Sequence, residues 1–217
     1  AASAVADAAP QGYGAARGID YTAEQTEIIK DRSPILVANA FAGTGKTTTA
    51  VGYAAARPDA RILYMAFNKA IQTEAQSRFG RNTRCQTTHS LAYQAIGRHY
   101  ANRISRSWRA LTVGKEAGLG TWHLAALTHS TLNKFFQSCD SQIGPGHAEA
   151  ARDQYNCEDS DLAIALAAAR TLWTRMQDRD DHVSIPDDAY LKMWALSHPR
   201  LDYDFIIFDE AQDSNPV

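Results

Sequence analysis

The chain has 217 residues, 45% of them hydrophobic and 21% charged, with a formal net charge of −2. This describes one large or two small globular domains with an ample core and excludes an intrinsically disordered chain. No apolar run approaches the roughly 20 residues that a membrane span needs. The three cysteines, Cys85, Cys139 and Cys157, show no Cys-x-x-Cys spacing. They argue against a disulfide framework or zinc site and for a reducing, cytoplasmic compartment.

Charge is unevenly spread. Arg57 to Lys115 holds eleven Lys/Arg against Asp59 and Glu74, a balance of +9, whereas Ala151 to Asp188 holds four Arg against nine Asp/Glu, a balance of −5. A basic half beside an acidic one fits a polyanion gripped on one side.

Residues 1 to about 18 are Ala- and Gly-rich without periodicity and read as a flexible tail, set at 1–20 when counted as a domain. Thr22 opens a short helix over Ala23 to Lys30, with Ile28 and Ile29 inward. Gln25 has two readings. It can close a capping box with Thr22, or its carboxamide can read the N6/N7 edge of an adenine.

Ile35-Leu36-Val37-Ala38-Asn39 reads as a buried parallel strand, and Ala40-Phe41-Ala42-Gly43-Thr44-Gly45-Lys46-Thr47 follows it, with a helix starting from Thr47. Strand, glycine-bearing turn and helix are the setting of a P-loop. Small residues let backbone N–H groups close around phosphate oxygens. Lys46 supplies a point charge for the β- and γ-phosphates, and Thr47 offers a hydroxyl to Mg²⁺. The usual opening glycine is replaced by Ala40.

A second strand is expected at Ile62–Phe67, a helix capped by Asn68 through about Phe79, a weaker strand at Arg84–Thr87, and a helix after Thr88-His89-Ser90. Alternating elements of this length imply right-handed βαβ units on a parallel sheet. From about Gly97 to Pro199 no convincing strand is found. Helices are expected at Thr131–Cys139, Asp161–Met176 and Asp187–Leu196, with a loop at Gly144-Pro145-Gly146 and three of the four tryptophans in the core. The strand pattern returns at Phe205-Ile206-Ile207-Phe208, followed by Asp209-Glu210-Ala211-Gln212-Asp213. An apolar strand ending in Asp-Glu suits the second half of a P-loop ATPase, with Asp209 toward Mg²⁺ and Glu210 toward the attacking water.

Gln25, Ala42–Thr47, Ala66-Phe67-Asn68-Lys69-Ala70, Thr87-Thr88-His89-Ser90 and Asp209–Asp213 together resemble, in order, the Q motif and motifs I, Ia, Ib and II of superfamily 1 helicases of the UvrD/Rep type. Ala66-Phe67-Asn68-Lys69 and Asp188-Ala189-Tyr190-Leu191-Lys192-Met193-Trp194 are similar to the F-box DNA helicase branch, although no F-box is visible. The family's motif I commonly begins with Ala, as here.

The resemblance implies an α/β P-loop NTPase (RecA-like) parallel sheet, incomplete, with an inserted all-helical subdomain. Subdomain 1A would take residues 21–97 and 200–217, and helical subdomain 1B residues 98–199. The cofactors implied are ATP and Mg²⁺. Nucleotide would be held by Gln25, Ala42, Gly43, Thr44, Gly45, Lys46, Thr47 and Thr48. Thr47 and Asp209 would hold the metal, and Lys46 and Glu210 would serve hydrolysis. Phe67, Asn68, Lys69, Thr88, His89 and Ser90 would line a single-stranded DNA track, a stacking ring, a cation and polar donors being what such a track uses. Arg98, Arg103, Arg106, Arg109 and Lys115 are further candidates for phosphate contacts.

The partners implied are single-stranded DNA and single/double-strand junctions, with no membrane, and a nucleoid or nuclear location follows from DNA. A second RecA-like domain is expected outside these residues. An arginine supplied from there is worth about 10³–10⁵ in rate, so this chain alone is expected to hydrolyse ATP poorly and not to translocate. The family moves 3′ to 5′. The alternative is a stand-alone nucleotide- or DNA-binding module without motor activity; a small-molecule P-loop kinase leaves the Phe67 and His89 stretches unexplained.

Overall fold

The computed structural model describes residues 19–155 and 157–213; the expected tail at residues 1–18 lies outside them. The chain divides into two compact units, one from residues up to Thr87 with Asp202–Ala211, the other centred on Thr88–Leu201.

The first unit is α/β. Its elements are α1 (Ala23–Lys30), α2 (Lys46–Ala55), β1 (Ile62–Ala66), α3 (Lys69–Arg78), β2 (Thr83–Thr87) and β3 (Phe205–Phe208). The three strands form one parallel sheet in the order β2-β1-β3. β1 is central because Ile62, Leu63 and Tyr64 are apolar enough to be covered on both faces, and all three are fully buried. Val51 and Ala54 of α2, Ala75 of α3, Phe79 and Cys85 complete this core, and burial pushes the Cys85 thiol up to about 11.

Local signals start the helices. Thr22 and Gln25 form the reciprocal capping box of α1, and the Asn68 side chain accepts from the Ile71 N–H at 2.9 Å to open α3.

One expectation is corrected. Residues 35–39 form no strand; Ile35 is 82% and Val37 75% exposed. A strand exists only through the neighbour that takes its backbone hydrogen bonds. Among the described residues no ladder reaches this run, although its apolar pattern is that of a buried strand.

Arg57 ties the unit together. It is buried at 5% exposure, and its guanidinium donates to the carbonyls of Ile29, Tyr53 and Asp31. It lies over the Tyr53 ring at 3.5 Å and faces Phe205 at 5.4 Å, so one side chain joins the end of α1, the helix after the glycine-bearing loop, and β3. Burial pulls its pKa down, an effect opposed by neighbouring groups that include Asp31.

The second unit is helical: α4 (Thr88–Ala95), α5 (Ala110–Ala117), α6 (Trp122–Phe136), α7 (Pro145–Glu149), α8 (Arg152–Tyr155), α9 (Asp159–Gln177) and α10 (Asp187–Leu196). An isolated bridge pairs Ile104 with Ile185. Phe135, Phe136, Trp173, Met176 and Trp194 sit in its main core, with Trp108 packed against it and Trp122 exposed.

Here too the sequence reading is revised. The helix expected from Thr131 begins at Trp122, capped by the Thr121 hydroxyl, which accepts from the Leu124 N–H at 3.3 Å. Gly144-Pro145-Gly146 does not stay a loop, because Pro145 takes the first turn of α7, where a missing N–H costs nothing. Unanticipated α5 carries Gly114, where a Cβ would come within 2.7 Å of the Ala125 Cβ, so glycine permits the close approach of α5 and α6.

Truncating Arg57 to Ala strands three carbonyls and removes the aromatic stacking. Arg57→Ala is expected to cost about 2–4 kcal/mol, read as a lower urea midpoint. An unchanged midpoint would show that this hub does not hold the unit.

Candidate functional site

The loop Ala40–Gly45 delivers the chain into α2. Gly43 (φ 80°) and Gly45 (φ 88°) both have left-handed backbone, and Gly45 caps the helix without a side-chain bond. These conformations suit glycine, and at Gly45 an added Cβ would fall 2.9 Å from Gln25 Nε2. The loop is braced from within by Thr44, whose hydroxyl donates to the Phe41 carbonyl at 2.8 Å. From outside, Gln25 Nε2 donates to the Thr44 carbonyl at 3.3 Å. Its Oε1 meanwhile accepts from the Thr22 N–H at 3.0 Å. The capping reading of Gln25 is therefore realised, and the same side chain links α1 to the loop.

Lys46 and Thr47 open α2, where backbone N–H groups lack intrahelical partners and favour an anion. β1 and β3 pair with Met65 opposite Phe208, and the Asp209 N–H extends the ladder to the Met65 carbonyl at 3.1 Å. The next residue, Glu210, has φ 50°, uncommon for a side chain other than Gly, Asn or Asp. Its carboxylate lies 3.2 Å from Lys46 Nζ, both side chains being about 30% exposed. Asp209 accepts from the Tyr64 phenol and, through Oδ1, from the Glu210 N–H at 3.1 Å. The Tyr64 phenol is pushed up, first by burial and then by Asp209.

The first unit therefore brings Gln25, Gly43, Thr44, Gly45 and Lys46 together with Asp209 and Glu210. Thr48 is turned to another partner, its hydroxyl accepting from Arg78 Nη2 at 2.8 Å.

These residues fit a Mg²⁺–nucleotide. The two left-handed glycines hold the loop in a backbone that side chains at those positions would strain, leaving its N–H groups uncovered by a Cβ. The donor set of one hydroxyl, Thr47, and one strand-end carboxylate, Asp209, matches Mg²⁺, which takes few protein oxygens and the rest from phosphate and water. No group of three or more His, Cys, Asp or Glu able to hold a metal occurs among the described residues.

The residues expected on DNA fall in two places. Phe67, Asn68 and Lys69 follow β1 directly. Phe67 is 56% exposed, Asn68 is occupied in capping α3, and Lys69 Nζ donates to Gln72 Oε1 at 3.2 Å. Thr88, His89 and Ser90 form the first turn of α4 in the helical unit. There His89 Nε2 meets Asp188 Oδ1 at 3.0 Å, both side chains exposed.

Two cations of the basic stretch and the DAYLKMW segment are consumed by folding. Arg103 is buried and donates to the carbonyls of Met176 (3.2 Å) and Asp178 (2.6 Å), so it is not placed to meet phosphate. Lys192 is 1% exposed, donates to the Ser138 carbonyl and lies 4.6 Å from the Phe135 ring centroid. Tyr64, Arg57 and Arg78 were not singled out from sequence; each acts through a partner 26 to 145 residues away that only the fold supplies.

"F-box DNA helicase 1" of Gallus gallus is 33% identical to this chain over 219 residues, covering 92% of the chain and 22% of the relative. "F-box DNA helicase protein 1" of Schizosaccharomyces pombe is 34% identical over 222 residues, covering 90% and 25%. The chain thus spans a quarter or less of the length of these relatives. No family model and no solved structure matches it. Over nearly its whole length the chain is a homologue of part of the F-box DNA helicases. No helix among the described residues is long and apolar enough to cross a membrane.

The His89–Asp188 pair carries a pH signature. The Asp188 hydrogen bond raises the His89 pKa above its ordinary value against an opposing effect of burial. A raised folded-state value means that the pair's stabilisation is full below the unfolded pKa of about 6.5 and is lost as pH rises through the folded one. Asp188→Asn is expected to move the His89 titration to lower pH, followed by NMR of the imidazole protons; an unmoved titration would show that the pair does not form in solution.

Proposed function

We propose that this chain is the ATP-binding and single-strand-binding portion of an ATP-dependent DNA helicase of the UvrD/Rep type, working 3′ to 5′ in the whole protein. The observation that carries the reading is the meeting of Lys46 with Glu210 at 3.2 Å beside a loop with two left-handed glycines. Two segments separated by more than 160 residues supply the two halves of a phosphoryl-transfer site. The relatives' names as DNA helicases support the choice of polymer.

The backbone N–H groups from Gly43 to Thr47 would bind the phosphates, and Lys46 would exchange Glu210 for phosphate oxygens. Glu210, released from that pair, is then placed to orient and deprotonate a water. Thr47 and Asp209 would hold Mg²⁺, whose charge offsets that developing on the phosphates. Gln25 must leave Thr22 and Thr44 to read an adenine, so base recognition would be coupled to the loop it now braces. In the first unit Phe67, exposed directly after the central strand, would stack a base beside the Lys69 cation; in the helical unit Thr88, His89 and Ser90 would offer polar contacts to single-stranded DNA.

The test titrates a labelled ATP analogue and single-stranded DNA into the parent chain, Lys46→Ala and Phe67→Ala. Lys46→Ala is expected to lose nucleotide affinity while remaining folded. Phe67→Ala should keep nucleotide affinity and weaken DNA by roughly 5- to 150-fold, the equivalent of about 1–3 kcal/mol for one stacked base. Nucleotide affinity untouched by Lys46→Ala would overturn the reading.

A further inference from the structure

Tyr64 has no role in the site as proposed, yet its hydroxyl meets the Asp209 carboxylate. It lies in the middle of β1, fully buried, its ring tilted against Phe79 at a centroid distance of 4.7 Å. From that fixed position its hydroxyl donates to Asp209 Oδ2, while Oδ1 takes the Glu210 N–H. Each carboxylate oxygen thus receives one donor and keeps capacity for another contact.

Core filling alone does not require the hydroxyl. Phenylalanine would occupy the same volume, as Phe79 does beside it, and a buried phenol can be satisfied by a backbone carbonyl, as Tyr100 is by Gln177 at 3.0 Å. A strand-end carboxylate is free to rotate about its side-chain torsions. Two donors, one from the rigid centre of the sheet and one from the backbone, fix its plane.

We propose that Tyr64 is a positioning residue for Mg²⁺, its hydroxyl orienting the Asp209 carboxylate toward the cation next to Thr47. This rests on the Mg²⁺–nucleotide reading above. Hydrogen-bond partners of metal ligands set ligand orientation, and losing one typically costs about 10–100-fold in metal affinity.

The test compares the parent 217-residue chain with Tyr64→Phe and Asp209→Asn. Mn²⁺ affinity is measured by electron paramagnetic resonance with saturating ADP, and affinity for a fluorescent ADP analogue is measured in EDTA. Tyr64→Phe keeps the ring that packs on Phe79. It is expected to weaken Mn²⁺ about tenfold and to leave ADP affinity in EDTA unchanged, whereas Asp209→Asn weakens Mn²⁺ more. Unchanged or tighter Mn²⁺ binding in Tyr64→Phe, with loss in Asp209→Asn, would overturn the role of Tyr64 and leave the site reading standing. Equal losses with and without metal would also overturn it, since the hydroxyl would then serve the fold. Mn²⁺ affinity unmoved by Asp209→Asn would remove the Mg²⁺–nucleotide reading and this proposal with it.

Discussion

β1 is hydrogen-bonded on both sides, to β2 with Ala66 opposite Thr87 and to β3 with Met65 opposite Phe208. Parallel pairing in this register brings the ends of all three strands to one edge of the sheet, where open α/β sheets bind ligands. From that edge β1 leads into Phe67 and the Asn68 cap, β3 leads into Asp209 and Glu210, and β2 hands the chain to Thr88. A slip of one residue would turn Tyr64 away from Asp209 and carry Glu210 away from Lys46. The burial of Ile62, Leu63 and Tyr64 makes such a slip costly, so the core of the sheet is also what specifies the site.

Around this frame the charged groups meet two different fates. Lys46, Asp209 and Glu210 are held by one another's neighbourhood at a partly exposed edge, where a ligand can displace an ion pair. Arg57, Arg103 and Lys192 are spent inside on backbone carbonyls. Two carboxylates of the acidic stretch, Asp159 and Asp181, are balanced locally by arginine. Arg152 bridges Glu149 and Asp159, and Arg175 holds the Asp181 carboxyl down to about 2, aided by the N–H groups of Val183 and His182. With Arg57 and Arg103 buried, the +9 balance of the basic stretch overstates the charge available to a polyanion.

What was legible in the sequence was local. Thr22 with Gln25, Asn68 before its helix, and the glycines of the loop announce themselves because cap and turn chemistry acts over three or four residues. The apolar run of β3 and the ends of α9 and α10 were also close to what periodicity gives. Pairing was not legible. Ile35–Asn39 has the composition of a strand, and composition cannot say whether a neighbour accepts its hydrogen bonds. Trp122 to Ser130 belongs to the same helix as Thr131 onward, its start set by the Thr121 cap. Of the candidate site, the sequence offers residue types and their order, while the contact between Lys46 and Glu210 is supplied by the fold. The Tyr64–Asp209 hydrogen bond, spanning 145 residues, could come only from the register.

The most direct test of the account is a crystal structure of this chain with ADP and Mg²⁺. The account predicts phosphates against the N–H groups of Gly43 to Thr47, Lys46 Nζ moved from Glu210 to a phosphate oxygen, and Mg²⁺ beside Thr47 and Asp209. Nucleotide bound elsewhere, or a Lys46–Glu210 pair left intact with the loop empty, would contradict it.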